Sequence, residues 1–185
     1  MGGFTVEMLI IAVVRVAGSL PVLRWALVGA IIAVLTDFSD LFMMNVIDLG
    51  GVTDYQSFDK YLDQVYMAAF LVVALRWRGF PRTVAVALYL FRMAGFVAFE
   101  VSGNRSLLPF FPNLFEFWFI FVAAVLNRRG AYNLSPRASW AWLSALLGLK
   151  LAQEYVIHGA RLLDSFTAVE AVQAIWRWVT APFRR

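Results

Sequence analysis

The chain has no cysteine, one histidine and two lysines. Without cysteine there are no disulfides, no thiolate metal sites and no cysteine nucleophile. A lone His158 excludes a histidine-rich zinc site of the usual kind. Charge is scarce as well: Asp, Glu, Lys and Arg make up 15% of the 185 residues, against about 25% in an ordinary soluble domain. Long charge-free runs are also missing. The longest are Trp25–Thr36, Gln64–Leu75 and Ala138–Leu149, all short of the ~18 residues of a simple membrane span. No basic region precedes the first apolar run, and Glu7 lies inside it, so that run reads as a span and not a cleavable leader.

What is abundant is apolar surface. Hydrophobic residues make up 62% of the chain and aromatics 16%, with a mean hydropathy of +0.73. This composition predicts an integral membrane protein. Because its charges interrupt the apolar runs and do not simply bound them, the bundle should have a polar interior. Fourteen arginines against two lysines suggest a GC-rich, bacterial origin and hence the cytoplasmic membrane. The net charge of +4 lies mostly in loops and tail, where it speaks for topology and headgroup contact, not nucleic-acid binding.

The pattern predicts an all-α fold of six transmembrane helices, at about residues 5–23, 25–46, 58–76, 81–102, 107–127 and 137–160. Short connections make residues 1–163 one domain of antiparallel neighbours. Residues 164–185 read as a basic, amphipathic interfacial helix anchored on anionic headgroups by Trp176, Trp178 and the terminal arginines. With six spans, Arg24, Arg76, Arg78, Arg82, Arg128, Arg129 and Arg137 share one end of the bundle. The positive-inside rule places that end in the cytoplasm.

Chemistry concentrates between residues 37 and 63. Asp37 and Asp40 are spaced i, i+3 at the end of one apolar run. Asp59 and Asp63 are spaced i, i+4 at the start of the next, with Gly50-Gly51 turning the chain between them. Either spacing sets a pair on one helix face. Carboxylates inside a membrane are costly and usually line a bundle interior or wet cavity. Four converging acids call for a cation, and all-oxygen ligands favour Mg²⁺ or Mn²⁺. The plainer reading keeps them as helix-end acids in the interface, capping or pairing with arginines, with Asp59 able to cap the third span.

The arrangement resembles the CDP-alcohol phosphotransferase family, whose pattern is DxxDGxxAR followed by GxxxDxxxD. Here the two halves read Asp37-Phe-Ser-Asp40-Leu41-Phe-Met-Met44-Asn45 and Asp59-Lys-Tyr-Leu-Asp63. The resemblance covers about residues 5–77. It implies that Asp37, Asp40, Asp59 and Asp63 hold two divalent ions on the diphosphate of a CDP-linked donor, with Asp63 also the general base on an acceptor alcohol. Phospholipid synthesis would be the setting. Arg15 and Arg92 fall about where family members carry arginines; with Asn45 and Arg105 they are the candidate substrate contacts, unless Arg15 and Arg92 simply neutralise Glu100, Glu116 or an aspartate. Leu41, Met44 and Asn45 stand where the pattern has Gly, Ala and Arg, and Tyr55 where it has Gly. Those substitutions keep a second reading open, a non-catalytic relative serving as partner subunit or lipid-binding protein, alone or as a homodimer. A third is an ion or proton carrier using the acids and the stripe Lys150, Gln153, Glu154 and His158. The aromatic run Phe110–Phe119 faces lipid or lines a lipid groove.

Overall fold

A computed structural model describes residues 5–46, 49–52, 55–103, 110–155 and 176–177. Among them are six α-helices: α1 Val6–Ser19, α2 Ala26–Val46, α3 Tyr55–Ala74, α4 Phe80–Ser102, α5 Leu114–Arg129 and α6 Pro136–Glu154, with a 3-10 turn at Leu20–Leu23. No strand occurs among the described residues. The ends follow local chemistry. Thr5 Oγ1 accepts the Met8 N–H at 3.1 Å and caps α1. Pro21 turns the chain out of α1 into the 3-10 segment. Ser135 caps α6 ahead of Pro136. Gly103 and Gly130, at φ of 64° and 71°, close α4 and α5 in the left-handed conformation.

Each helix lies near its expected place, with one clear shift. The fifth was expected from about residue 107 but begins at Leu114. Pro112 disfavours helical backbone at Phe111 and lacks an N–H, so the helix can form only beyond it. Three segments are long and apolar enough to cross a membrane: Val6–Leu23, Ala26–Met44 and Phe80–Ser102. By contrast, α3 carries Asp59, Lys60 and Asp63 in its first half, and α5 has 16 residues, short of the ~20 a span needs. The tail expected over 164–185 lies outside the described residues except for Trp176 and Arg177, which are helical.

Helices α3 and α5 form the middle of the bundle. The first packs on α1, α2, α4 and α5; the second on α2, α3, α4 and α6. Their shared core is aromatic. Phe70, Phe115, Trp118 and Phe119 are fully buried, and Phe119 stacks on Phe70 at 4.3 Å and on Trp77 at 5.0 Å between centroids. Trp118 Nε1 donates to the Pro81 carbonyl at 3.1 Å, which satisfies its buried N–H. The outer surface is strongly apolar: Val13, Val28, Leu35, Leu90 and Val97 are all more than half exposed. Apolar exposure on that scale suits hydrocarbon surroundings.

The approach of α1 to α2 positions the acids. Gly18 lies against Thr36 so closely that a Cβ there would overlap the threonine side chain, and Gly29 meets the backbone of Pro21 and Val22 in the same way. Small residues at these two points bring the backbones together. At the far end, Thr5 Oγ1 donates to the Gly51 carbonyl at 2.7 Å. Buried Glu7 accepts the N–H groups of Leu49 at 3.4 Å and Gly51 at 3.0 Å. The start of α1 is thus tied to the connection between the two acid-bearing helices, where Gly50 and Gly51 take φ of 110° and 69°.

Candidate cation site

One face of α1 is buried at Glu7, Ile11, Arg15 and Ser19, a strict i, i+4 series. Arg15 lies ten residues along from Thr5, about 15 Å at 1.5 Å per residue. That is about half of a hydrocarbon core ~30 Å thick. At this depth the guanidinium is 3% exposed and sits among all four aspartates. Its Nη1 donates to Asp40 Oδ2 at 2.8 Å and to Asp59 Oδ1 at 2.7 Å. Its Nη2 donates to Asp63 Oδ1 at 2.7 Å and to Asp37 Oδ1. Each terminal nitrogen carries two hydrogens, so all four are committed to carboxylates. Only the planar fork of arginine can reach four acceptors at once in this way.

Arg15 does not exhaust the acids. Each carboxylate gives it a single oxygen. Were all four carboxylates ionised, the single guanidinium among them would leave a net charge of −3. Asp40 is wholly buried and its Oδ1 has no hydrogen-bond partner. Leaving a buried acceptor unmet costs about 1–3 kcal/mol. Oxygens of Asp37, Asp59 and Asp63 lie within 4.8 Å of one another. Ligand-to-ion distances of about 2.0–2.6 Å for Mg²⁺ or Ca²⁺ put ligands across an ion at about that separation. Donor type and spacing are those a hard divalent cation could use, at carboxylates that Arg15 already engages.

Asp37, Asp40, Asp59 and Asp63 all meet at the Arg15 guanidinium. Of the plainer reading, the capping half fails for Asp59, because α3 begins at Tyr55 and leaves it a full turn inside, while the pairing half holds, since all four acids pair with Arg15. Arg15, expected at a substrate phosphate or as a neutralising charge, neutralises the aspartates. Arg92 is elsewhere: its Nη1 donates to the Phe111 carbonyl at 2.8 Å, while its Nε is buried without a partner. Asn45 belongs to α2, but its side chain is outside the described ones, as is that of Leu41; Arg105 and His158 lie outside the described residues altogether.

A second polar group escaped the sequence reading. Tyr66, one turn beyond Asp63 on α3, donates to Glu116 Oε2 at 3.0 Å. Asn113 Nδ2 donates to the Tyr66 hydroxyl at 3.0 Å and to Glu116 Oε2 at 3.2 Å. The clue was available: Asn113 and Glu116 are polar residues three apart in an aromatic run, a spacing that puts them on one face.

No protein-family model matches the chain, and neither does a curated protein or a solved structure.

Proposed function

We propose that this is a six-span membrane transferase that moves a phospho-alcohol from a CDP-linked donor to a hydroxyl acceptor with the help of divalent cations. The observation that carries the reading is the convergence of Asp37, Asp40, Asp59 and Asp63 on one buried point. Those four residues would hold the cations, which when bound would neutralise charge on the donor diphosphate. Asp63 accepts the proton of the attacking hydroxyl. The hydroxyl oxygen bonds to the phosphorus that carries the alcohol, the bond from that phosphorus to the bridging oxygen breaks, and CMP leaves. Arg15 holds the four carboxylates in register against their mutual repulsion.

The test is CMP release from CDP-diacylglycerol by the full chain in proteoliposomes with Mn²⁺ and a panel of polyol and long-chain alcohol acceptors, beside Asp63→Asn. Release that disappears in the variant is expected. Equal release from both proteins, or from neither, rejects the mechanism.

The second reading, a non-catalytic relative, is favoured by Leu41, Met44 and Asn45, which replace the small and cationic residues of the family pattern around the donor. It predicts cation binding without CMP release. Restoring Gly, Ala and Arg at the three positions would then create affinity for CDP.

A further inference from the structure

A groove of about 440 Å³ runs between α2, α5 and α6, within the size range of small-molecule sites. Val34 and Phe38 line it from α2, Ile120 and Glu116 from α5, Leu146 and Gln153 from α6. It opens outward along the stretch of α2 that is apolar enough to cross a membrane, where Phe38 is 58% exposed. The walls are hydrocarbon except at one end. There Glu116 is fixed by Tyr66 and Asn113, and both hydrogen bonds fall on its Oε2. A carboxylate at the end of an apolar groove is complementary to a donor head on an apolar tail. A hydroxyl fits better than an ammonium, because Lys150 already places a cation at this wall, its Nζ donating to Gln153 Oε1 at 2.9 Å.

We infer that this groove binds a long-chain alcohol of the membrane, its hydroxyl at Glu116 and its hydrocarbon chain along Val34, Phe38, Ile120 and Leu146. Tyr66 joins the head of the groove to α3 one turn from Asp63. If the transferase reading holds, and this role rests on it, the bound alcohol is the acceptor. The binding site itself does not depend on that reading.

The experiment is photolabelling of the full chain in detergent with a diazirine-bearing hexadecanol, with the labelled peptides mapped by mass spectrometry. Label is expected on 114–129 and 136–154 in excess over the outward face of α1 at Val13 and Val16. Free hexadecanol should remove it, and the methyl ether of hexadecanol should not. Leu146→Trp fills the groove and should abolish the excess; Val34→Phe on the facing helix does the same if the tryptophan variant does not fold. Glu116→Gln should weaken competition by the alcohol about tenfold, the value of one hydrogen bond to a charged group. Equal labelling of the α1 face, or competition by the ether as strong as by the alcohol, overturns the proposal. Stronger competition by hexadecylamine overturns the hydroxyl assignment. Specific labelling in a protein that releases no CMP keeps the site and removes only its role as acceptor site.

Discussion

Replacing Arg15 by glutamine should make the stability of this protein depend on divalent cations. The four ion pairs are unequal. Asp37, Asp59 and Asp63 are 29%, 33% and 18% exposed, and solvent screening reduces what each contributes. The pair with Asp40 is buried at both ends, at 3% and 0%. Breaking a buried pair by removing one partner costs about 3–5 kcal/mol, because the other charge is left uncompensated. For a chain of this length that corresponds to a fall in Tm of about 6–20 °C. Glutamine keeps donors at the site but no charge, so four carboxylates face one another around a neutral group. A divalent cation that binds only the folded state would restore about 2.7 kcal/mol at a hundredfold excess over its Kd. The assay is thermal unfolding of the detergent-purified full chain, with and without Mn²⁺, for the parent, Arg15→Gln and Arg15→Lys. Lysine keeps the charge but not the fork, and should fall between the other two. A glutamine variant that melts with the parent, or one that Mn²⁺ does not rescue, would refute the view that these acids need a cation.

Two further outcomes test the architecture that holds the site. Gly18→Val should destabilise by about 1–3 kcal/mol, the usual cost of overpacking, because the new side chain meets Thr36 and drives α1 from α2; with Arg15 displaced, the Mn²⁺ response should also change, read by the same melts. Phe119→Ala removes a fully buried ring stacked on Phe70 and Trp77 and should cost about 3–5 kcal/mol in denaturant unfolding while the Mn²⁺ shift persists, since the core is built separately from the acids.

Helix positions were legible in the sequence because apolar periodicity and punctuation agree. Gly79 and Pro81 open α4, Gly130 ends α5, and Ser135-Pro136 starts α6. The late start of α5 shows where the reading failed: an unbroken aromatic run hid the effect of Pro112. Spacing showed that the acids of each pair share a helix face. It did not decide whether Arg15 meets a substrate phosphate or neutralises the acids. Arg15 lies 22 residues before Asp37, and only the close approach at Gly18 and Thr36 brings the two together. In the sequence that contact is a single glycine in an apolar run, and a glycine there suits a bend or a helix end equally well. The Tyr66–Asn113–Glu116 group was hidden for the same reason, since 47 residues separate Tyr66 from Asn113.

The two ends of the bundle make opposite demands on the proposed chemistry. Arg76 Nη1 donates to the Leu23 carbonyl at 2.9 Å, so the connection after α3 meets the turn after α1 at one end. Arg24, Arg78, Arg82, Arg128, Arg129 and Arg137 border the connections that alternate to that same end. Thr5, Gly51 and the end of α4 at Ser102 lie at the other, toward which the aspartates are displaced. If all six helices span, the positive-inside rule would put the arginine end in the cytoplasm and turn the aspartate end outward. The nucleotide donor implied by the resemblance is cytoplasmic and requires the reverse. Since the chain has no cysteine, Ser102→Cys and Ala131→Cys each place a unique thiol at one end. Labelling with a membrane-impermeant maleimide in intact cells and inverted vesicles then reads the orientation directly. The transferase reading requires Ser102→Cys to react only in inverted vesicles and Ala131→Cys only in intact cells. The opposite pattern would remove the CDP-linked donor, and the buried acids would then serve cation binding in a protein without nucleotide chemistry.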